Sequence, residues 1–247
     1  MKLRLEAFGD SHVGRVRKGN EDAFLADAER GVFLVADGMG GHVAGEIASA
    51  IASEAVGSRL TGGVDRGLTA DELAREMTDA IAAADAAIAA HVQAHPLTLG
   101  MGTTLTACVI CDDGTYRLGH IGDSRAYLRR DGMLVQITHD HTWVQREVDE
   151  GRLRPEALRR HPLGHVLTRA LGTDTQDQPD LVAGRLLPGD ELLLCTDGLT
   201  GMLDDKRLAR ILDAGLGVRE TVAELIRAAN ARGGRDNITA VMVRVLD

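Results

Sequence analysis

Three aspartates at the ends of apolar segments are the first residues whose types and positions suggest chemistry. Asp37 follows VFLVA and leads into GMGGHVAGE, Asp197 follows ELLLCT, and Asp236 precedes NITAVMVRVL. A single Asp-Gly pair usually only shapes a turn. Aspartates at the ends of separate strands can instead converge on one edge of a sheet, where their repulsion is costly unless cations lie between them. The pattern therefore predicts a metal site.

The ligands of such a site would all be oxygens, from carboxylates, water and the backbone carbonyl that a glycine beside Asp37 allows to approach. Oxygen-only ligation suits hard ions, so we expect Mg²⁺ or Mn²⁺ rather than Zn²⁺. A carboxylate shared between two ions would make a two-metal site, which can hold and acidify an attacking water.

A second acidic group lies in GRVRKGNED, where Glu21 and Asp22 follow Arg17. An arginine can bind two phosphate oxygens bidentately while two metals neutralise the charge that develops, and phosphoryl hydrolysis requires this combination. Asp123, in HIGDSRAY, lies at a turn between two predicted strands. An ordinary hairpin turn is the alternative explanation for Asp123.

The elements that must position these residues alternate in type along the chain. Strands are predicted near 3–8, 23–26 and 32–36, followed by a helix over about 45–60. A second helix is predicted from Thr69, where TADE matches a capping box with Glu72, to about residue 93.

Four extended runs over 103–138, separated by DDG, GDS and RDG, predict an antiparallel meander. A polar segment with helical character, 139–172, comes next. The remaining predictions are extended segments at 181–187 and 191–198, amphipathic helices at 204–214 and 218–232, and a last strand at 237–246. Antiparallel β blocks with helices in pairs predict one layered α+β domain in which helix pairs cover sheets.

Composition excludes several classes of protein. The 247 residues carry a net charge of -9, which disfavours nucleic acid and anionic membrane surfaces as partners. No apolar stretch approaches a membrane span, and the first residues do not resemble a signal peptide. Three cysteines are too few for a disulfide framework, so we expect a cytoplasmic protein.

Three other motifs have simpler explanations than a binding site. The glycines after Asp37 lack the GK[ST] of a nucleotide-binding P-loop. Cys108 and Cys111 should point to opposite faces of a strand and pack in the core rather than bind zinc. His139 and His141, in THDHT, could bind a metal, but a turn at the base of the polar segment explains them better.

Six motifs, RKGNED, DGMGGHVAGE, MGTTL, GDSR, TDGLTGML and GGRDNITAV, resemble in order and spacing the PP2C-type (PPM) metal-dependent protein serine/threonine phosphatases in their short bacterial form. The resemblance covers about 10–245, and residues 139–172 are similar to the flap subdomain of bacterial members. It implies one domain over 1–247 and a four-layer α-β-β-α sandwich of two antiparallel sheets flanked by helix pairs.

The resemblance also implies a role for each site residue. Asp37 would bridge two metals, with the Gly38 carbonyl on the second. Asp197 and Asp236 would bind the first metal. Glu21 and Asp22 would act at the second metal, directly or through water. Arg17 would bind the substrate phosphate, and Asp123 would support a weak third metal. Asn237 would position the turn before the final strand.

Two positions depart from the family pattern. Met39 replaces a histidine that animal members are proposed to use as general acid, and a thioether cannot donate a proton. A metal-bound water or another group would then protonate the leaving oxygen; His42 is close in sequence but could equally serve the helix start. Gly201 replaces an aspartate, so the third-metal site would lose one carboxylate.

These features predict hydrolysis of phosphoserine and phosphothreonine in proteins by direct attack of a metal-activated water, with two Mn²⁺ or Mg²⁺ ions per site. The protein would be a monomer that opposes a bacterial Ser/Thr kinase. A catalytically silent phosphoprotein-binding module and a hydrolase of small phosphate esters are the competing hypotheses. Retention of the three strand-end aspartates and Arg17 favours the active enzyme.

Overall fold

The computed structural model describes residues 3–40, 43–159, 161–173 and 178–246. The strands are β1 (Arg4–His12), β2 (Asp22–Asp27), β3 (Val32–Met39), β4 (Gly102–Thr103), β5 (Leu105–Ile110), β6 (Thr115–Ile121), β7 (Arg125–Arg130), β8 (Met133–Gln136), β9 (Asp180–Arg185), β10 (Glu191–Cys195) and β11 (Ile238–Leu246). The helices are α1 (Val43–Asp65), α2 (Ala70–Ala94), α3 (Trp143–Asp149), α4 (Asp197–Thr200), α5 (Asp205–Leu212) and α6 (Val218–Ala231). Short 3-10 turns cover Pro96–Thr98 and Pro155–Arg159.

The strands form two sheets. The first sheet has the order β1-β11-β10-β7-β8, and the second has the order β2-β3-β5-β6-β9, with β4 paired to β3. Neighbouring strands are antiparallel in both sheets.

Three apolar layers hold the sheets and helices together. Phe33 faces the layer between the sheets, while its neighbour Leu34 faces the layer under α1 and α2. Val241 and Met242 divide in the same way between the inter-sheet layer and the layer under α4, α5 and α6. Because both faces of these strands are buried, their sequences read as continuous apolar runs. The predicted α+β four-layer sandwich is confirmed.

The start of α2 matches its sequence prediction. Thr69 precedes the helix; the backbone N–H of Glu72 donates to the Thr69 hydroxyl, and the Thr69 backbone N–H donates to the Glu72 carboxylate over 2.8 Å. This reciprocal pair satisfies two donors that the helix itself leaves unpaired.

The predicted meander over 103–138 is wrong in one respect. β5 pairs with β6 in the second sheet, whereas β7 pairs with β8 in the first. The turn Gly122-Asp123-Ser124 therefore connects the two sheets and is not a hairpin. Alternating strands and turn residues predict strands but do not say which sheet each strand joins, because that choice depends on distant partners such as β10.

Two further predictions need correction at their ends. The segment predicted as extended over 191–198 ends its strand at Cys195, and Asp197 begins the short helix α4. In the polar segment, α3 is helical as predicted, but the described part of PEALRRHP contains a 3-10 turn over Pro155–Arg159 and no α-helix. Pro162 disfavours helical backbone at the residue before it, which limits that helix. His42 lies outside the described residues.

No helix within the described ranges has both the length and the hydropathy that a membrane span requires.

Candidate metal and phosphate site

Asp37 lies at the end of the second sheet, where β3 runs past the neighbouring strands. Its backbone N–H donates to the Thr104 hydroxyl over 3.0 Å, and its carbonyl accepts from the Thr104 N–H over 2.9 Å. The next residue, Gly38, is packed so closely that a Cβ there would lie 2.1 Å from the Gly45 carbonyl oxygen and 2.5 Å from the Glu21 carbonyl oxygen. Only glycine fits between these two carbonyls.

Asp22 lies directly opposite Asp37 in the pairing of β2 with β3. Its Oδ2 accepts hydrogen bonds from the hydroxyls of Thr239 (2.6 Å) and Thr196 (2.9 Å), both from the first sheet region. Its Oδ1 is buried and has no hydrogen-bond partner. One carboxylate oxygen is therefore anchored, and the other is left without a partner.

Asp197 and Asp236 lie next to strands of the first sheet: Asp197 begins α4 just after β10, and Asp236 lies two residues before β11. A Cβ at Gly198 would lie 1.8 Å from the carbonyl oxygen of Asn237, so this glycine allows the start of α4 to touch the segment before β11. The contact brings the two aspartates to the same end of the molecule as Asp37. The Oδ1 of Asp236 accepts from the Asn237 N–H over 2.9 Å.

Asn237 does more than shape the turn before the final strand. Its Oδ1 accepts from the Glu21 backbone N–H over 2.8 Å, and its Nδ2 donates to the carbonyls of Val13 (3.0 Å) and Gly19 (2.9 Å). The side chain thus closes the loop 13–21, which carries Arg17, against β11. The order GGRDN gives no sign of this long-range clamp.

Arg17 contacts the predicted metal ligand Asp236 directly, since its guanidinium lies 2.7 Å from Asp236 Oδ2. Burial opposes the charge, but Asp236, Glu21 and Asp37 together raise the pKa of Arg17. The arginine side chain is 47% exposed and lines the cleft, so it is accessible to a ligand there.

Asp123 reaches the site from the connection between the sheets. Gly122 has a φ of +107°, and a Cβ there would lie 2.5 Å from Thr104 Cβ. Ser124 Oγ lies 2.7 Å from the Thr104 hydroxyl, which also accepts from the Asp37 N–H. Thr104 therefore fixes the position of Asp123 relative to Asp37.

These residues surround one cleft of about 260 Å³. Every predicted site residue lines this cleft except Asp22, which lies beneath it. The full lining is Arg17, Glu21, Asp37, Gly38, Met39, Gly40, Thr104, Asp123, His165, Leu167, Asp197 and Asp236. His165 and Leu167, which were not predicted from the sequence, reach the cleft from the flap, residues 139–172. Nothing in the HPLGHVL motif distinguishes them from surface residues.

A larger cavity of about 490 Å³ lies at the opposite end of β3, beside Gly31 and Cys111. Its three acids, Glu29, Asp112 and Asp113, are exposed, whereas none of the carboxyl groups that line the acidic cleft is, so volume alone does not mark the chemistry. Cys108 packs between the sheets and Cys111 packs toward the α1 and α2 layer, as their spacing predicts.

The carboxyl groups in the cleft repel one another. Burial, together with Asp22, Asp197, Asp123 and Asp236, raises the pKa of Asp37 well above its usual range. Burial and neighbouring aspartates also raise the pKa of Asp123 and Asp197, and that of Asp22 to about 7. Five carboxyl groups and one guanidinium line the cleft, so its own positive charge does not balance the negative charge that its carboxylates can carry.

This arrangement fits divalent cations. The unpartnered Oδ1 of Asp22 and the raised pKa values of its neighbours are the features that a bound cation would remove. Across the described ranges, no three carboxylate, imidazole or thiol groups already lie close enough together to hold a metal ion directly between them. Mg²⁺ and similar hard ions keep several waters, so carboxylates spaced around a shared cleft suffice to hold them.

His139 and His141 serve the base of the flap, as predicted. His139 Nε2 lies 2.7 Å from Asp149 in α3. His141 donates its backbone N–H to the Gly122 carbonyl over 2.8 Å, and its Nδ1 accepts from the Gly122 N–H over 3.0 Å. The second histidine thus ties the flap to the connection that carries Asp123.

The layered sandwich that carries this acidic cleft has counterparts among known proteins. The model of the family Protein phosphatase 2C matches residues 8–243, and the chain belongs to this family.

Individual relatives agree with this assignment. Serine/threonine protein phosphatase PstP of Mycobacterium tuberculosis is 42% identical, covering 99% of this chain and 45% of the relative. Serine/threonine phosphatase stp of Listeria monocytogenes is 34% identical, covering 93% of this chain and 92% of the relative. A crystal structure of the PstP catalytic domain with two manganese ions superposes with a TM-score of 0.88 at 40% identity, covering 99% of this chain and 100% of that one. The chain spans less than half the length of full PstP.

Proposed function

We propose that this chain is a metal-dependent phosphatase that hydrolyses phosphoserine and phosphothreonine in proteins. The observation that carries the proposal is the cleft in which Asp37, Asp197 and Asp236 converge beside a single exposed arginine. Acid groups that repel one another without a cation, next to a group that binds phosphate, match the needs of phosphoryl hydrolysis.

Two Mn²⁺ or Mg²⁺ ions are the proposed cofactors, held by carboxylates from both sheets. Asp37 would be shared between them, Asp197 and Asp236 would serve the first, and Glu21, the Gly38 carbonyl and Asp22 would serve the second, directly or through water. When bound, the ions supply Lewis-acid activation of the attacking water and neutralise charge on the phosphoryl group. The PstP catalytic domain, whose structure contains two manganese ions, supports this assignment.

The protein's own residues orient the substrate. Arg17 would release the Asp236 oxygen that it contacts and bind two phosphate oxygens instead, a geometry that a planar guanidinium favours. Asn237 holds the loop that carries Arg17, so it acts as a positioning residue.

Protonation of the leaving oxygen does not involve Met39, whose thioether has no proton to give. Met39 lies in the cleft beside Gly102, where a Cβ would lie 2.8 Å from the Met39 methyl carbon. Met39 therefore serves as an apolar wall of the cleft.

A weak third ion would be held by Asp123 and Asp197. Gly201 offers no side-chain ligand, and the sequence neighbours that could replace it are engaged elsewhere. The Asp204 carboxylate caps α5 and pairs with Arg207, and Asp205 accepts from the Tyr127 hydroxyl over 3.3 Å. Both acids stand at the start of α5, as the sequence predicts.

Several finer features belong to this proposal. Phosphorylated proteins would be the substrates, including a Ser/Thr kinase that the enzyme opposes, and the enzyme would act as a monomer in the cytoplasm. The domain would comprise residues 1–247, with the flap at 139–172 choosing among substrates. All three cysteines are free thiols, which supports a reducing compartment.

Phosphate release from a phosphothreonine peptide tests the proposal. We expect activity with Mn²⁺ or Mg²⁺, loss with excess chelator, and recovery when the metal is restored. Burial raises the pKa of Cys195 to about 12 and also raises that of Cys108, so thiol alkylation should leave the rate intact. Metal-loaded protein that binds the peptide without releasing phosphate would support the silent binding module. Turnover of small esters alone would support the third hypothesis.

A further inference from the structure

A basic surface borders one side of the cleft and has no role in the proposed hydrolysis. Two chain segments form it, and its exposed cations are Arg15, Lys18, Arg232 and Arg235, which we name the basic ridge. Residues 13–19 and 231–235 contain no acidic residue. The ridge is therefore a local excess of positive charge on a chain with a net charge of -9.

The two segments are held together and against the cleft. The Arg15 backbone N–H donates to the Gly234 carbonyl over 2.7 Å, and a Cβ at Gly14 would lie 2.2 Å from the Asp236 carbonyl oxygen. Arg17, which lines the cleft, belongs to the first segment, and Asp236, which also lines it, directly follows the second. The basic ridge is therefore directly adjacent to Arg17, the proposed phosphate-binding arginine.

The ridge cations do not neutralise acids of the protein. Arg129 and Arg244 elsewhere in the first sheet both pair with Glu191. In contrast, Arg15, Lys18 and Arg235 have neither an ion pair nor a side-chain hydrogen bond to any part of the described chain. Arg232 donates only to the Met202 carbonyl over 2.8 Å. Fixed backbone and unpaired side chains leave this charge available to a partner.

Resting on the proposed function, we propose that the basic ridge binds acidic or additionally phosphorylated residues that flank the target phosphoresidue in a protein substrate. Arg15 lies in a turn two residues before Arg17, so the two residues are separated by no more than the roughly 7 Å that an extended chain would span. A substrate bound in extended form covers that distance in two residues, and the ridge continues beyond Arg15. We therefore expect the recognised acids about two to four positions from the residue in the cleft. The position beside a phosphate site favours a phosphoprotein over nucleic acid or membrane, which the net charge also disfavours.

Exposed ion pairs of this kind contribute modestly, about two- to fivefold each, and salt screens them. With two or three contacts, we expect the wild-type kcat/KM for an acidic peptide to exceed that for a neutral one by about tenfold. The difference should appear mainly in KM, because the ridge does not touch the reacting atoms.

The test compares three phosphothreonine peptides that differ only in flanking residues, with aspartates, asparagines or lysines at two to four positions on both sides. Wild type should prefer them in that order, and 0.5 M salt should compress the differences. The double variant Arg15→Glu/Arg235→Glu should lose or reverse the preference, and Arg15→Gln/Arg235→Gln should give an intermediate result. Arg75→Glu, an exposed cation on α2 at the other end of the molecule, is the control and should behave as wild type.

Turnover of p-nitrophenyl phosphate and of the neutral peptide should stay within about twofold in the ridge variants. Equal kcat/KM for all three peptides in an active wild type would overturn the ridge proposal and leave the proposed function standing. Absence of phosphate release from every substrate with Mn²⁺ present would instead reject the proposed function. Ridge-dependent binding of a DNA duplex or of anionic phosphatidylserine vesicles, without a peptide preference, would also overturn the proposal.

Discussion

Two groups of buried polar side chains lie close together, and they differ in charge. One is neutral and fully hydrogen-bonded, whereas the other contains carboxyl groups that repel one another. In the first group, His120 Nδ1 lies 2.9 Å from the Thr106 hydroxyl, and its Nε2 donates to the His139 carbonyl over 3.0 Å. Burial lowers the pKa of His120 to about 4, so the ring is neutral and both of its nitrogens are paired. This group is complete without a ligand.

The second group is the carboxylate cleft. There, one oxygen of Asp22 has no partner, and burial with neighbouring acids raises the pKa of Asp37. Both groups belong to the same fold and touch the connection at Gly122-Asp123-Ser124. A buried polar cluster whose hydrogen bonds close internally therefore serves as scaffold, whereas one left with unpaired oxygens and like charges is suited to a ligand.

The largest expected effect is the loss of turnover in Asp37→Asn. The amide cannot bridge two cations, so we expect kcat to fall by at least about a thousandfold with Mn²⁺ saturating for the wild type. Thermal unfolding of the metal-free variant should match or exceed that of the wild type, because the substitution removes a repelling charge. A variant that retains more than a tenth of wild-type kcat would remove Asp37 from the chemistry.

Arg17→Ala should have a smaller effect. It removes the phosphate grip and leaves the carboxylates, so kcat/KM should fall by about tenfold to a few hundredfold, with KM raised. Mn²⁺ affinity should hold or improve, because the variant frees the oxygen of Asp236 that Arg17 contacts at 2.7 Å. Steady-state kinetics with Arg17→Lys as the matched variant separates charge from the bidentate geometry. Unchanged KM and kcat in both variants would leave Arg17 as a surface charge.

Removal of the outer flap should separate substrate choice from chemistry. Replacing residues 143–167 with a short glycine linker keeps His141, whose bonds to Gly122 support Asp123. We expect about a tenfold larger loss on a phosphoprotein than on p-nitrophenyl phosphate, since His165 and Leu167 are the only described flap residues that line the cleft. Equal losses on both substrates would indicate that the flap builds the metal site.

His120→Gln tests the scaffold group through stability. A histidine whose pKa falls from 6.5 to about 4 on folding contributes stability that is present above pH 6.5 and lost as pH falls toward 4. The wild-type advantage in unfolding free energy over the variant should therefore shrink by up to about 3 kcal/mol across that range. Denaturant unfolding at several pH values measures the difference, and His95→Gln, at an exposed position, is the control. A constant difference would contradict a neutral, buried His120.

The smallest effect is expected for Gly201→Asp, which should strengthen a third, weak Mn²⁺ event and leave the first two nearly unchanged. A Cβ at Gly201 would lie 2.9 Å from the Asp197 carbonyl oxygen, so Gly201→Ala is needed to measure the strain alone. Calorimetry with Mn²⁺, paired with phosphopeptide turnover, follows both effects. If Gly201→Ala and Gly201→Asp bind the third ion equally, the added carboxylate plays no part.

Local patterns were sufficient to predict much of this architecture. The capping box at Thr69, the strand-end aspartates and the opposite orientations of Cys108 and Cys111 depend only on nearby residues and on strand periodicity. The sheet assignment of the Gly122-Asp123-Ser124 turn could not be predicted in this way, because β7 is placed by its pairing with β10.

The same limit applies inside the candidate site. The threonine anchors of Asp22, the clamp by Asn237 and the approach of His165 join residues that are far apart in sequence. An Asp-Gly or Arg-Asp-Asn motif identifies a residue with chemical potential. It does not identify which distant side chain holds that residue in place.

Calorimetric titration of the metal-free protein with Mn²⁺ near pH 6, in buffers of different ionisation enthalpy, tests most directly whether the cleft is built for cations. Because burial and repulsion raise the pKa of Asp22 to about 7 and that of Asp37 well above its usual range, binding should displace protons. We predict two bound ions, net proton release that declines as pH rises toward 8, and loss of one or both ions in Asp37→Asn. Binding without proton release, or stoichiometry unchanged in the variant, would contradict the account.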